Sequence, residues 1–171
     1  MTVRQELPRT VRSALIALAL SAPALLAQRA RPTSARADFI GAGDLLRYRD
    51  RAVRARAQGT TVLTAPDQQT NYVIVVRTRE SAVERHSRWD DFIIGRNGSG
   101  IVRLGQSASG MRTLAPGEYR GGVLARPADL HVGPGDVVRV PAGVAHAFVP
   151  DAGSPFEFLL IKVRRPNKPL R

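Results

Sequence analysis

The chain has 171 residues, enough for one domain with a buried core plus an appendage. It has no cysteine, which excludes disulfide frameworks, Cys-ligated zinc, iron–sulfur clusters and thiol nucleophiles. The formal net charge of +12, from 26 basic and 14 acidic residues, makes nucleic-acid binding the first possibility to test.

The distribution of that charge argues against a nucleic-acid-binding core. Residues 1–36 carry +5, residues 37–57 carry +2 and residues 162–171 carry +5, whereas residues 58–161 hold ten charges of each sign. The excess therefore sits in the flanks, and any polyanion binding is expected from them alone. All but two of the 26 cations are Arg, the exceptions being Lys162 and Lys168. Aromatic residues make up 5% of the chain and offer few stacking platforms.

At the N-terminus, Arg4, Arg9 and Arg12 precede an uncharged run over 13–27 that ends in small residues before Gln28 and Arg29. This is the pattern of a secretory signal peptide. The run, about 15 residues with Pro23 inside it, is shorter than the roughly 20 needed to span a bilayer. Ala22-Pro23-Ala24 fits a small-x-small exit, and a cut after Ala27 leaves +10 on the mature chain. The expected location is periplasmic or secreted, with no stable membrane span after cleavage.

Residues 28–59 are expected to form a linker and one helix. Leu45, Leu46, Tyr48, Ala52 and Val53 alternate with arginines in a helical pattern, with Asp44 as N-cap and Gly59 as stop. The arginines read as its solvated face.

Beyond Gly59 the character changes. Short apolar or alternating runs at 61–63, 72–78, 92–94, 101–104, 123–124, 137–140, 147–149 and 156–163 are separated by clusters of Gly, Pro, Asn and Asp. Eight to ten short strands in about 110 residues predict an all-β sandwich or closed barrel such as a jelly roll. Residues 60–163 form this domain, and 164–171 a basic tail. The segment Gly117-Glu118-Tyr119-Arg120-Gly121-Gly122 reads as a hairpin turn whose Tyr119 and Arg120 are candidates to line a cavity.

One segment carries a sharper signal. Gly135, Pro141, Gly143 and His146 describe a Gly-Asp turn, an apolar strand, a Pro-x-Gly turn and a histidine three residues later. In this it resembles the second conserved motif of the cupins, G-x5-P-x-G-x2-H, with Pro150 where the family's closing Asn stands. The first cupin motif, G-x5-H-x-H-x4-E-x6-G, is resembled upstream when Gly98 anchors its last position. Thr78 then takes the leading Gly, Glu84 and His86 the two His positions, and Asp91 the Glu position. Anchoring on Gly100 instead puts Arg88 and Ile93 at ligand positions and destroys the site.

The resemblance covers residues 60–163 and is closest to small exported bacterial cupins. It implies an all-β fold, the cupin double-stranded β-helix or jelly-roll barrel, with one N-terminal helix. It also implies one divalent metal at the barrel centre, with Glu84, His86, Asp91 and His146 as ligands. Fe, Mn, Zn, Ni or Co all suit such a donor set. The implied partner is a small organic molecule, with dioxygenase, isomerase or epimerase, and lyase chemistry the classes represented among similar barrels. A homodimer is compatible with this fold. Because the first motif lacks its first His, a metal-free barrel that binds or senses a small ligand is the alternative.

Each residue also has a plainer reading. His146 and His86 can be barrel residues without a metal, Glu84 can form a solvent ion pair near Arg85 and Arg88, and Asp90 can replace Asp91 or cap a turn. His131 reads as a rim histidine. Trp89 shapes the pocket mouth or packs on the outer sheet.

Overall fold

The computed structural model describes residues 38–54, 58–64 (as backbone) and 68–166. The expected signal peptide and most of the basic tail lie outside the described residues.

The helix α1 spans Ala42–Arg54, with Asp44 inside its first turn and Arg51 and Arg54 in its last, a charge order that suits the helix dipole. Asp44 is therefore not the N-cap. The backbone N–H groups of Asp44 and Leu45 donate to the Gly41 carbonyl, and the Asp44 carboxylate accepts from the Gly41 N–H at 3.3 Å. Asp44 thus plays the reach-back role of a capping box. Gly59 is not the stop either, because it lies in the first strand. The arginines at 47, 51 and 54 face solvent as expected. Arg49 is half-buried: its Nε donates to buried Glu157 at 2.9 Å and ties the helix to the last strand.

The described residues hold thirteen strands: β1 Gln58–Thr64, β2 Thr70–Arg77, β3 Glu84–His86, β4 Trp89–Asn97, β5 Gly100–Gly105, β6 Ser107–Ser109, β7 Arg112–Ala115, β8 Glu118–Arg120, β9 Val123–Ala125, β10 Ala128–Val132, β11 Val137–Val140, β12 Ala145–Pro150 and β13 Phe156–Arg164. Every apolar run expected to be a strand falls in one. The five strands outside those eight runs are β3, β6, β7, β8 and β10; the first four are too short to show a pattern, whereas β10 alternates Ala128, Leu130 and Val132 with Asp129 and His131. Residues 118–120, expected within a turn, are the strand β8. The barrel strands also reach past both ends of 60–163.

One sheet runs β1-β2-β13-β4-β11 and a second runs β10-β5-β12-β3-β8-β7, with β6-β9 as a separate ribbon. From β2 to β5, and again from β10 to β13, successive strands alternate between the two large sheets. That winding is a double-stranded β-helix. The core joins Val73, Ile93, Val140, Phe158 and Leu160 of the first sheet to Val102, Val132 and Phe148 of the second. Phe158 is central, its ring centroid 4.7 Å from Phe148 and 4.8 Å from Phe156. Gly98, used above to set the register, turns β4 into β5 with φ +64°, and a Cβ there would stand 1.9 Å from the Pro155 carbonyl oxygen. Only glycine fits both demands.

Asp90 anchors the turn that delivers the second motif. It lies on the opposite face of β4 from Asp91 and accepts from the Ala142 N–H at 2.8 Å, from Arg139 at 2.6 Å and from Arg165 at 2.6 Å. Burial favours its neutral form, but the hydrogen bonds from Arg139, Ala142 and Arg165 prevail and hold its pKa at about 2. Asp90 therefore caps a turn and is not a substitute ligand. Replacing it by Ala should cost about 1.5–3 kcal/mol, the usual range for hydrogen bonds to a charged group. Since the folded pKa is depressed, this stabilisation is present above the ordinary carboxylate range and lost as pH falls toward 2. Urea unfolding of Asp90→Ala and the parent from neutral pH to about pH 2.5 should show the gap between them closing in acid.

Candidate functional site

The strand β12 begins just after the Pro141-Ala142-Gly143-Val144 turn. Gly143 has φ +91°, which the turn requires, and its N–H donates to the His86 carbonyl at 2.8 Å. Asp90 holds the neighbouring Ala142 N–H. The turn is thus pinned to the first-motif strands at two successive residues. The next strand pair completes the link, because His146 and Glu84 are register partners across β12 and β3. Period-2 alternation then points Glu84, His86 and His146 into the barrel.

The geometry of these groups is specific. Among the described residues, Glu84, His86 and His146 each offer one donor atom, and the three atoms lie within 4.8 Å of one another. His86 Nε2 stands 3.5 Å from Glu84 Oε2 and 3.6 Å from Asp91 Oδ2, while His146 Nε2 is 3.5 Å from Asp91 Oδ2. His146 and Asp91 are each 1% exposed. Both Nε2 atoms are buried without a hydrogen-bond partner.

The other ring nitrogens explain why. His146 Nδ1 faces the Val144 carbonyl oxygen at 3.2 Å, which can only accept, so the proton is on Nδ1 and the lone pair on Nε2. His86 Nδ1 meets the carboxylate of Glu118, which likewise accepts. Both imidazoles are therefore held in the tautomer that turns a bare Nε2 toward the centre. A carboxylate behind a histidine is the arrangement that orients metal-ligating imidazoles and raises their basicity.

The electrostatics fit a neutral His146, whereas the carboxylates around His86 favour a second proton on that ring. Burial opposes ionisation of Glu84, but His86 beside it and the charge of Arg120 bring its pKa down to about 2. It is a carboxylate at any working pH. Burial also opposes a charge on His86, yet Glu84, Asp91 and Glu118 outweigh both burial and Lys162 and raise its pKa. His146 is shifted down, by burial above all, and stays neutral.

The remaining sequence candidates separate by face. Asp91 faces the centre but is engaged by Lys162 Nζ, 3.0 Å from Oδ1 and 3.2 Å from Oδ2. Arg120 Nη2 donates to Glu84 Oε1 at 2.7 Å, and the two line a cleft of about 360 Å³ with Arg77, Arg79, Glu80 and Ser81. Tyr119 is not with them. It pairs with Arg85 across β8 and β3 on the opposite face of the sheet, where the Arg85 guanidinium carbon lies 4.2 Å from its ring centroid. Trp89 shares the face of β4 that carries Asp91, one step beyond it, with Arg164 over its ring at 5.9 Å. His131 is an exposed residue on β10, 2.9 Å from Asp151.

Two residues of the site do not stand out in the sequence. Glu118 lies in a segment that reads as a turn, although the alternation Glu-Tyr-Arg already puts 118 and 120 on one face. Lys162 adjoins the basic tail, although Phe156, Phe158, Leu160 and Lys162 occupy successive inward positions of β13.

Neither a family model nor a curated protein matches the sequence. The fold does match solved structures. A Klebsiella pneumoniae protein with a double-stranded β-helix domain is 14% identical, over 75% of this chain and 91% of that one, with a TM-score of 0.52. The chain has the cupin fold. TT1209 from Thermus thermophilus superposes on this cupin barrel with a TM-score of 0.51 at 17% identity, over 76% of this chain and all of that one. Lactobacillus farciminis oxalate decarboxylase matches with a TM-score of 0.48 at 17% identity over 64% of this chain, which spans only 29% of that protein's length.

Removing the negative charge behind His86 should weaken metal binding without disturbing the barrel. Glu118→Gln is expected to lower Zn²⁺ affinity by about 10- to 100-fold. Titration against a chelator of known affinity measures it, and an unchanged constant would make Glu118 a bystander.

Proposed function

We propose that the chain is an exported cupin that holds one divalent metal ion on Glu84, His86 and His146 and uses it to bind or transform a small organic anion. One observation supports the metal above all. Two buried imidazole Nε2 atoms, each bare and each fixed in its tautomer from behind, converge on an ionised carboxylate. Leaving buried polar atoms unpaired costs folding free energy, and a cation at their focus removes that cost.

Two nitrogens and one oxygen suit Fe, Mn, Zn, Ni or Co. Bound there, such an ion supplies Lewis acidity and open coordination positions. The chain does the rest. Glu118 and Val144 keep the protons on the two Nδ1 atoms. Glu84 turns Oε2 toward the histidines and Oε1 toward Arg120 and the cleft, so its carboxylate is the partition between metal centre and entrance. The cleft contributes Arg77, Arg79 and Arg120 against Glu80 and Glu84, an excess of positive charge that favours an anionic ligand such as a small carboxylate. Export rests on the signal-peptide pattern of residues 1–27. No described helix is long and apolar enough to cross a membrane. A second reading, a metal-poor barrel that binds a small ligand without catalysis, is favoured by Lys162, which places an ammonium where a metal would draw on Asp91.

Elemental analysis decides between them. Protein purified without an affinity tag and exposed to Fe, Mn, Zn and Ni should retain about one equivalent of metal, because a ligand specific to the folded state is held by it. Retention below about 0.2 equivalents defeats the metal reading, since a preorganised site of this donor set should load. In a thermal-shift panel run with and without metal, small carboxylates should raise the melting temperature more than their neutral amides. Equal shifts would remove the anion preference.

A further inference from the structure

We infer that Lys162 is a resident cation that holds Asp91 back from the metal, so that the ion is bound by three side chains and its strength of binding is set by the lysine. This rests on the metal reading above, and it concerns a residue that neither motif contains.

The geometry is fixed by register. Lys162 and Asp91 are direct partners across β13 and β4. Nζ lies 3.0 and 3.2 Å from the two carboxylate oxygens, so it addresses both of them. The Lys162 side chain is 14% exposed and that of Asp91 1%, which puts the pair inside the barrel where an unmatched charge is not tolerated. The same Oδ2 that takes the ammonium also stands 3.5–3.6 Å from both imidazole Nε2 atoms. Asp91 therefore sits between two claimants, the lysine and whatever occupies the centre. Distance does not set Asp91 apart from Glu84, whose Oε2 lies 3.5 Å from His86 Nε2; the ion pair to Lys162 does.

The choice of residue fits this role. In a chain with 24 arginines and two lysines, the cation paired with Asp91 is one of the lysines. An ammonium is a compact point charge on a flexible stem and fits a single carboxylate, whereas a planar guanidinium needs a wider fork of acceptors. An ammonium this close also repels a divalent ion through an interior that screens weakly. Lys162 thus has two effects of the same sign. It occupies the carboxylate that could have been a fourth ligand, and it raises the electrostatic cost of loading the site. Substituting it by an uncharged residue of similar length releases both.

The test is a double-mutant cycle on the full mature chain, with Zn²⁺ affinity measured by competition against a chelator at fixed pH. Lys162→Met should bind Zn²⁺ at least about tenfold tighter than the parent, and Asp91→Asn alone should change affinity by less than about threefold, while the double variant should lose the part of the gain that comes through Asp91 and fall between the parent and Lys162→Met. Circular dichroism and melting with and without Zn²⁺ accompany the cycle. If metal-free Lys162→Met is unstable because Asp91 is left unmatched, added Zn²⁺ should restore it with a larger rise in melting temperature than the parent shows. The inference is overturned if Lys162→Met binds no tighter than the parent, or if Asp91→Asn alone weakens binding by about tenfold or more, because Asp91 would then be a ligand. If the parent fails to bind and Lys162→Met binds, the inference stands and the metal reading of the parent falls. If neither binds, both fall.

Discussion

Ionisable side chains placed inside an apolar barrel must find opposite charge or hydrogen bonds within reach, and the centre of this molecule is organised by that demand. His86, His146, Glu84 and Asp91 converge from both large sheets, directly beside the packed phenylalanines, with the His146 ring centroid 5.5 Å from that of Phe148. Each has been given an answer from outside the cluster. Glu118 and the Val144 carbonyl take the imidazole N–H groups, Arg120 takes one oxygen of Glu84, and Lys162 takes Asp91. The two Nε2 atoms have no such partner, and Asp91 Oδ1 has only the Lys162 ion pair. Unpaired atoms gathered at one point are what a ligand-binding centre requires, because residual cost is concentrated where binding removes it.

The same demand explains how the two motifs come to face each other. Strands β3 and β12 share a single register pair, too little to fix their relation alone. The Pro141–Val144 turn makes up the difference, with Ala142 held by Asp90 and Gly143 held by the His86 carbonyl. Asp90 and Asp91 thus divide the work of adjacent positions on one strand. One faces out and fixes the turn that carries His146, while the other faces in and takes part in the cluster. Period-2 alternation turns two neighbouring aspartates into one that fixes a turn and one that joins the central cluster.

The barrel is legible in the sequence because its long strands are apolar and its turns are rich in glycine and proline, so every run from 61–63 to 156–163 becomes a strand. The spacing from Gly135 to His146 and the anchor at Gly98 are enough to bring Glu84, His86 and His146 together. Strand β10 carries the alternation Ala128, Leu130 and Val132 in a segment that reads only as the approach to a turn, whereas β3, β6, β7 and β8 are not legible, since so few residues show no apolar rhythm. Glu118 is hidden for that reason, and the Gly-rich flanks of 117–122 suggest a turn. Tyr119 is misplaced because a turn assigns no face, whereas a strand places it with Arg85 and away from Glu84. Lys162 is hidden by a different cause: its charge groups it with the arginines after it, although its place in the alternation of β13 belongs to the core. The helix boundaries slip because the carboxylate of Asp44 caps by reaching back from within the first turn.

The net charge of +12 therefore says little about the centre, whose function depends on a few charges matched one to one. X-ray absorption spectroscopy at the zinc edge of the Zn²⁺-loaded protein addresses that centre most directly. The account predicts two imidazole nitrogens among the nearest shell of light atoms at about 2.0–2.1 Å, the usual range for Zn–N bonds. A spectrum fitted by oxygen alone, with no outer-shell imidazole scattering, would contradict it.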